Sequence, residues 1–536
     1  MECHCLAAHE LPHTTELYAA FLGDFPRTKK FYAHSPDVSG ARAAAAEVRL
    51  APRIRQGVCD GLREQNAAFG ARPDVARNID RLAGGAVAVV TGQQVGLFGG
   101  PAYSFYKALT AIAVAEELSQ GGTEAVPVFW LASEDHDLAE VNHCYWLAEG
   151  GLQRFELQPE VNAEGRSVGR VPLGENVRAL VDRARAALEG ESSEWVEAAL
   201  RESYTPRDTF ASAFGKLVTR LLAGRGLIIL DPLGTRIHRL AAPVFAQALE
   251  EREALTGTLL ARNRELEKAG FHSQVKVTPR STLLFYEIEG KRIALRQSDG
   301  NLSAGGSKLL ESELRQQLET EAAKFSANAL LRPVVQDSLL PTAAYIGGPA
   351  EIAYLAQSQV IYERLLGRMP AVMARAGFTL VDAHARKILK RYGLEAREVM
   401  ASRQRLRRSM EFSSLSRGLT RQFDKGEKDL TALLAKLRKP LGKLDRTLEG
   451  ALTTAERKML HQFLKLRGKA GRAENLRTGV LDRQERTLID VIYPHGAPQE
   501  RSHNLLPWLA RYGRELLDGL GARAAGGGKQ HQVLYL

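Results

Sequence analysis

Residues 133–143 group side chains that handle protons: Ser133, Glu134, Asp135, His136 and Asp137, then Glu140 and His143. Carboxylates beside an imidazole suit general acid–base work, and the same residue types bind metals. A helix starting near Asp135 would place His136, Glu140 and His143 at i, i+4 and i+7 on one face. The competing reading is a helix capped by Ser133 or Asp135, with the other side chains solvated. Cys144 adds a soft ligand, but no CxxC or HxxxH spacing accompanies it. Proton chemistry is therefore expected here, and no metal.

A second group lies in Thr91-Gly-Gln-Gln-Val-Gly-Leu-Phe-Gly-Gly100, followed by Pro101, Tyr103 and Lys107. Thr91, Gly92, Gln93, Gln94, Gly96, Gly99 and Gly100 combine bare backbone with two side-chain amides. A glycine-rich loop before a helix can cradle an anion on its backbone N–H groups, helped by the helix dipole. The alternative is a tight turn without a ligand. The pattern is neither a P-loop nor GxGxxG. Farther along, Tyr345-Ile-Gly347-Gly348-Pro349 repeats the arrangement, with Glu351 in the first helical turn as cap or catalyst and Gln336 upstream. Two such turns suggest two backbone-lined walls of one pocket. Asp231 ends another apolar run.

These residues need particular elements to hold them. Ala86–Val90, Val126–Ala132 and Leu227–Leu230 are short apolar runs that fit parallel strands buried on both faces. Pro101 is placed to open a helix. Open α/β sheets bind ligands at the carboxyl ends of their strands, where the polar groups fall. Around this core, 152–157 and 166–171 read as paired strands, 282–288 and 292–296 as a hairpin, 309–324 as a helix, and 369–381 as one strand region. Leu430, Leu434, Leu437, Leu441, Leu444 and Leu448 step at heptad spacing, the signature of a helical packing seam, which Pro440 and Gly442 should interrupt. The expected division is a core in three parts (1–143, 206–270 and 326–384), an inserted cap at 144–205, a second insertion at 271–325, a helical arm at 385–475, and a segment at 476–536 packing back on the body.

The 536 residues, with 25% charged and 44% hydrophobic side chains, fit a globular chain of two or more domains. No apolar run of membrane-spanning length occurs, and the Met1-Glu-Cys-His-Cys start does not read as a signal peptide. Four cysteines make no disulfide framework, which points to a reducing cytoplasm. The net charge of +11 is concentrated: residues 386–469 carry 23 Lys and Arg against 9 Asp and Glu, which leaves the remainder at −3. Aromatic residues are sparse in that basic stretch, so a solvated helical face is expected there and nucleic acid is not.

Long stretches of the sequence resemble the bacillithiol-biosynthesis cysteine-adding enzymes, the cysteine ligases. They are TGQQVGLFGGPAYSFYKALTAI, VPVFWLASEDHDLAEVNH, the MECHC start with Phe31-Tyr-Ala-His34, the stretch from Leu330 to Tyr354, and Tyr493-Pro-His-Gly with Gln499-Glu-Arg501 and Asn504. The resemblance implies an α/β fold: a Rossmann-like core resembling class I synthetases and nucleotidyltransferases, with connecting-peptide insertions and an α-helical coiled-coil arm that dimerises. It implies the last step of bacillithiol assembly, the joining of L-cysteine to glucosaminyl-malate by a ligase forming a carbon–nitrogen amide bond. A carboxylate must be activated before an amine attacks it, so ATP or another nucleotide is the expected cofactor. On this reading Asp135, His136 and Asp137 are catalytic. The glycine turns bind substrate or nucleotide, together with Tyr103, Lys107, Ser133, Glu134, His143, Gln336, Tyr345 and Glu351. A nucleotidyltransferase activating a small acid, with RNA on the basic arm, is the alternative enzyme, but no HxGH or KMSKS motif supports it. A scaffold recruiting partners through the arm is the non-catalytic alternative.

Overall fold

The computed structural model describes residues 2–148, 150–298, 301–413, 415 and 417–536. The chain forms two compact units. The larger one, Cys5–Phe378 with Glu500–Gln532, holds the α/β core. The smaller one centres on Thr379–Gln499. Among the described residues, no helix is long and apolar enough to cross a membrane.

The core is a five-stranded parallel sheet in the order Ala371–Ala374, Thr342–Gly347, Val87–Gln93, Ala125–Leu131, Ile228–Leu230. Read from the other edge in chain order, this is 3-2-1-4-5, the doubly wound order, whose direction reverses between Val87–Gln93 and Thr342–Gly347. Ligands in such sheets bind outside the carboxyl ends of the strands at that reversal. Side chains alternate across a strand, and Val87–Gln93 uses both faces. Ala88 and Val90 pack into one apolar cluster with Val126, Val128 and Leu230. Val87 and Val89 pack into another with Ala111, Val114 and Leu118 of the helix Tyr103–Gln120.

Both insertions differ from expectation. Gly151–Glu156 pairs with His143–Ala148, not with 166–171. The latter segment is a tight turn because its backbone is used elsewhere: Val168 N–H donates to Asp135 O (2.6 Å) and Gly169 N–H to Ser133 O (2.8 Å). A Cβ on Gly169 would lie 2.4 Å from the Ser133 Cβ. The later insertion is more than a hairpin. It is a five-stranded antiparallel sheet in the order Ser307–Leu309, Asn301–Ala304, Lys291–Ser298, Ser281–Ile288, Phe325–Ala327, and the helix is only Glu311–Thr320. The 369–381 region also splits. Ala371–Ala374 stays in the core and Gly377–Val381 joins a different sheet. At the break, Arg375 donates its N–H to Gly347 O (2.9 Å) and buries its guanidinium on Glu500 (2.6 and 2.9 Å).

In the smaller unit two long helices, Arg417–Leu444 and Thr447–Thr478, run antiparallel. Phe423 meets Phe463 (5.4 Å between ring centroids), Asp424 meets Arg467 (2.8 Å) and Arg438 meets Glu456 (3.1 Å). Leu434 is buried in this seam. Pro440 does not interrupt the helix as expected. It sits near the C-terminal end, where the carbonyl it leaves unpaired, that of exposed Lys436, can reach water.

One buried cation ties the core together at its reversal point. Lys107 is 3% exposed and donates to Gly92 O (2.8 Å) and Gln93 Oε1 (2.8 Å), and it pairs with Glu351. An ammonium has three donors, and all three are used. Glu351 also accepts from Gly348 N–H (2.8 Å), capping the helix Pro349–Leu365, and from Tyr345 Oη (2.6 Å). Burial pulls the Lys107 ammonium below its ordinary value against the opposing pull of Glu351. Burial pushes the Glu351 carboxyl up, but Lys107 and its hydrogen bonds more than reverse this and hold it below the usual range.

Removing one partner of such a pair strands a buried charge, at a cost of about 3–5 kcal/mol. Lys107→Met should lower stability to chemical denaturation by that order, and adding Glu351→Gln should recover part of the loss. Unchanged stability of the single variant would refute the role given to the pair. Glu351 and Glu500 both titrate below their ordinary value when folded; for Glu500, the Arg375 guanidinium outweighs burial. Their contribution is complete above the ordinary value of 4.5 and is lost as pH falls through the lower folded values. Thermal unfolding scanned in pH should show this loss below about 4.5, and the Glu351→Gln variant should show less of it.

Candidate active site

The first glycine turn spends its backbone donors inside the protein. Gly96 N–H bonds to Gln94 O (3.0 Å), Gly99 N–H to Gly96 O (3.1 Å) and Gly100 N–H to Leu97 O (2.9 Å). Gly99 also lies 3.3 Å from the Tyr204 hydroxyl. At the helix entrance, Ala102 N–H donates to His503 O (2.7 Å), and Ser104 N–H to Pro101 O (2.9 Å). Asn504 Nδ2 closes the other side, on Phe98 O (2.8 Å) and Gly100 O (2.7 Å). The expected anion cradle on Gly96, Gly99 and Gly100 is therefore corrected: these glycines shape a closed turn. Positive φ at Gly99 (87°) and Gly100 (67°) explains the residue type. The second turn is similar. Gly348 N–H is taken by Glu351, and Gly347 O receives Arg375 N–H. In both turns the glycine amides at Gly96, Gly99, Gly100 and Gly348 are therefore taken up within the protein.

The side chains around these turns form two groups that meet at Gln93 and Gln94. From Gln93, Nε2 donates to Tyr103 Oη (3.2 Å) and Oε1 accepts from Lys107 (2.8 Å). Through Glu351 this line continues to Tyr345, then to Arg332 (3.1 Å), which also bonds Tyr354 (2.9 Å) and Gln336 Oε1 (3.0 Å). Burial raises the Tyr103 phenol, and the nearby Arg501 and Arg375 pull it back. Gln336 is fully buried, with Nε2 on Asp337, and Thr91 is buried with its hydroxyl on Ile346 O (2.9 Å). Gly92 supplies its carbonyl to Lys107.

From Gln94, Nε2 bridges Asp135 Oδ2 and Glu140 Oε2, each at 2.7 Å. Asp135 Oδ1 takes the backbone N–H of His136 (2.7 Å). The Asp135 and His136 side chains are 37% and 39% exposed, which leaves them open to a ligand. The expected single helical face is corrected. Asp137, not Asp135, caps the helix, with Oδ1 3.3 Å from Glu140 N, and that helix is only Leu138–Val141. His136 precedes it and His143 opens the next strand beside Asn142 (3.4 Å). Ser133 and Glu134 turn inward. Ser133 Oγ lies 2.5 Å from Asp231 Oδ1, and Glu134 lies 3.0 Å from His238 Nε2. Burial raises the Asp231 carboxyl, with Ser133 opposing.

Sequence reasoning missed three contributors: Arg292, Arg332 and Asn504. Arg292 comes from the inserted sheet and lies 3.1 Å from His136 Nδ1. Arg332 and Asn504 fall within stretches that carry the family resemblance, but neither has a local pattern that announces its role.

Residues 1–376 match the family described as bacillithiol biosynthesis BshC, N-terminal Rossmann-like domain, and residues 378–536 match its C-terminal coiled-coil domain. Relatives bearing the name "Putative cysteine ligase BshC" align over nearly the whole chain. The protein of Koribacter versatilis is 40% identical over 531 residues, 99% of each chain. That of Solibacter usitatus is 39% identical over 519 residues, 96% of each chain. That of Salinibacter ruber is 32% identical over 541 residues, 98% of each chain. With both domain matches and these full-length relatives in agreement with a doubly wound core and a helical hairpin, the chain belongs to the BshC family of bacillithiol biosynthesis.

Proposed function

We propose that this protein is the ligase that joins the carboxyl carbon of L-cysteine to the amino nitrogen of glucosaminyl-malate, the last step of bacillithiol formation. One observation carries the reading: in a chain matched end to end by proteins named cysteine ligases, Gln94, Asp135 and His136 sit together, partly open, at the carboxyl edge of a doubly wound sheet. The amine must lose a proton before or during attack on an activated cysteinyl carbon, and the donor's leaving group departs as the amide forms. One of Asp135, His136 and Asp137 takes that proton. Gln94 holds Asp135 in place, while Gln93, Tyr345 and Glu351 hold the neighbouring wall. Lys107 supports that wall from within, because its donors are already committed to protein acceptors.

An activated donor, with ATP as its source, is the chemical expectation for this bond. The first glycine turn does not fit a phosphate cradle, since Gly96, Gly99, Gly100 and Ala102 already bond within the protein. No step is therefore assigned to a nucleotide at that turn. A reducing cytoplasm suits the thiol product and the buried thiols of Cys59 and Cys144. We further propose a homodimer through the arm. Its helices expose Leu433 (58%), Leu437 (44%), Leu444 (82%) and Leu466 (55%), more apolar surface than a solvated hairpin needs.

Mass spectrometry of the protein incubated with cysteine and glucosaminyl-malate, with and without ATP, should show bacillithiol only with ATP. Absence of product under both conditions would overturn the reading. His136→Ala should lower turnover about 10²-fold or more without a comparable loss of stability, and an unchanged rate would remove His136 from the reaction. Leu433→Glu with Leu437→Glu should halve the mass seen by light scattering. A native protein that is already monomeric would refute the dimer.

A further inference from the structure

The loop carrying Asp135 and His136 meets the inserted antiparallel sheet, and the contact has a defined chemistry. In that sheet Arg292 lies opposite Glu287, and Phe285 lies opposite Ser326. Residues 285 and 287 share a face, so Arg292, Phe285 and Ser326 do too. The Arg292 guanidinium lies flat across this face, 3.7 Å from the Phe285 ring centroid. Nε–H donates to Ser326 Oγ (2.8 Å) and one terminal nitrogen to Ala327 O (2.7 Å). The other terminal nitrogen faces His136 Nδ1 at 3.1 Å. The His136 ring lies 5.8 Å from the same Phe285 ring. The sheet is fixed to the loop's surroundings by Arg292 N–H on Gly165 O (2.7 Å) and by Arg170 on Glu287 (3.0 Å). Arg170 closes the turn whose Val168 and Gly169 amides hold Asp135 and Ser133.

A guanidinium has five donors and no acceptor, so in this contact His136 Nδ1 is the acceptor. A neutral imidazole that accepts at Nδ1 carries its proton on Nε2. We infer that Arg292 is a positioning residue that fixes His136 in its Nε2–H tautomer, so that the imidazole meets the substrate as a hydrogen-bond donor and not as a base. The inference rests on the reading that amide formation takes place at this strand edge. Negative charge grows on the acyl oxygen as the amine attacks, and a fixed N–H donor is suited to receive it. The proton released by the amine then passes to a neighbouring carboxylate, Asp135 or Asp137. Anchoring on three strands of a separate sheet makes the orientation rigid: the guanidinium has two protein acceptors and an aromatic face before it meets the histidine.

The test pairs a tautomer measurement with kinetics on the full-length protein. Nitrogen NMR of histidine-labelled protein should show His136 protonated on Nε2, and Arg292→Met should abolish that single-tautomer signature. Arg292→Met should also lower kcat about 10²-fold, with KM for cysteine changed far less. His136→Gln, whose amide places an N–H near the position of Nε2, should stay within about tenfold of wild type, whereas loss of a general base costs about 10²–10⁴. An Nδ1–H signature in the wild type, wild-type kcat in Arg292→Met, or a His136→Gln variant as slow as His136→Ala would each overturn the inference. Product formation by the wild-type enzyme in the same assay reports separately on the ligase reading.

Discussion

A buried ammonium with three protein acceptors holds the central sheet together at the point where its strand order turns back. Lys107 comes from the helix after the first glycine turn and Glu351 from the helix after the second. Their pairing spans the two strands at which the doubly wound order reverses. The helices on either side of such a reversal leave a crevice between them, and the ion pair joins the two helices across it. It fixes the carbonyl of Gly92, the side chain of Gln93 and the first turn of the helix Pro349–Leu365 in one step. The chemistry above it can then rest on short side chains whose positions are already set.

This arrangement separates shape from reactivity. Gly96, Gly99, Gly100 and Gly348 make sharp turns, and their amides bond within the protein. The groups open to a ligand are side chains: Gln94 in the first turn, and Asp135 and His136 in the loop after the adjacent strand. The two neighbouring glutamines divide the work. Gln93 faces the cationic and phenolic line that runs to Arg332, and Gln94 faces the acidic one.

Much of the core was legible in the sequence because its signals are local. Buried parallel strands read as short apolar runs, and glycine followed by proline marks a turn into a helix. The leucine stripe is only partly a seam within the hairpin: Leu434 is buried, whereas Leu437 and Leu444 of the same stripe are exposed. What was not legible depends on distant partners. Nothing near Gly96–Gly100 tells that His503 and Asn504 will occupy the turn, so open backbone donors looked available. The helical phase of His136, Glu140 and His143 failed because two aspartates compete for one cap, and Asp137 starts the helix after His136. Arg292 sits at the start of a strand that the sequence marks only as half of a hairpin; the docking of the whole sheet brings it to the imidazole.

The closure of the first turn by Asn504 has a bearing on how the protein is made. Phe98 and Gly100 receive their partner from a residue 406 and 404 positions later in the chain. A ribosome adding about 5–20 residues per second takes roughly 20–80 seconds to cover that distance. Throughout that interval the strand, the turn and the following helix are already synthesised, yet two carbonyls and the Ala102 amide can bond only to water. The nascent chain therefore holds an unfinished corner beside the proposed site. A half-made copy can bury much of its sheet and still be unable to set that corner, so completion of the site is tied to completion of translation.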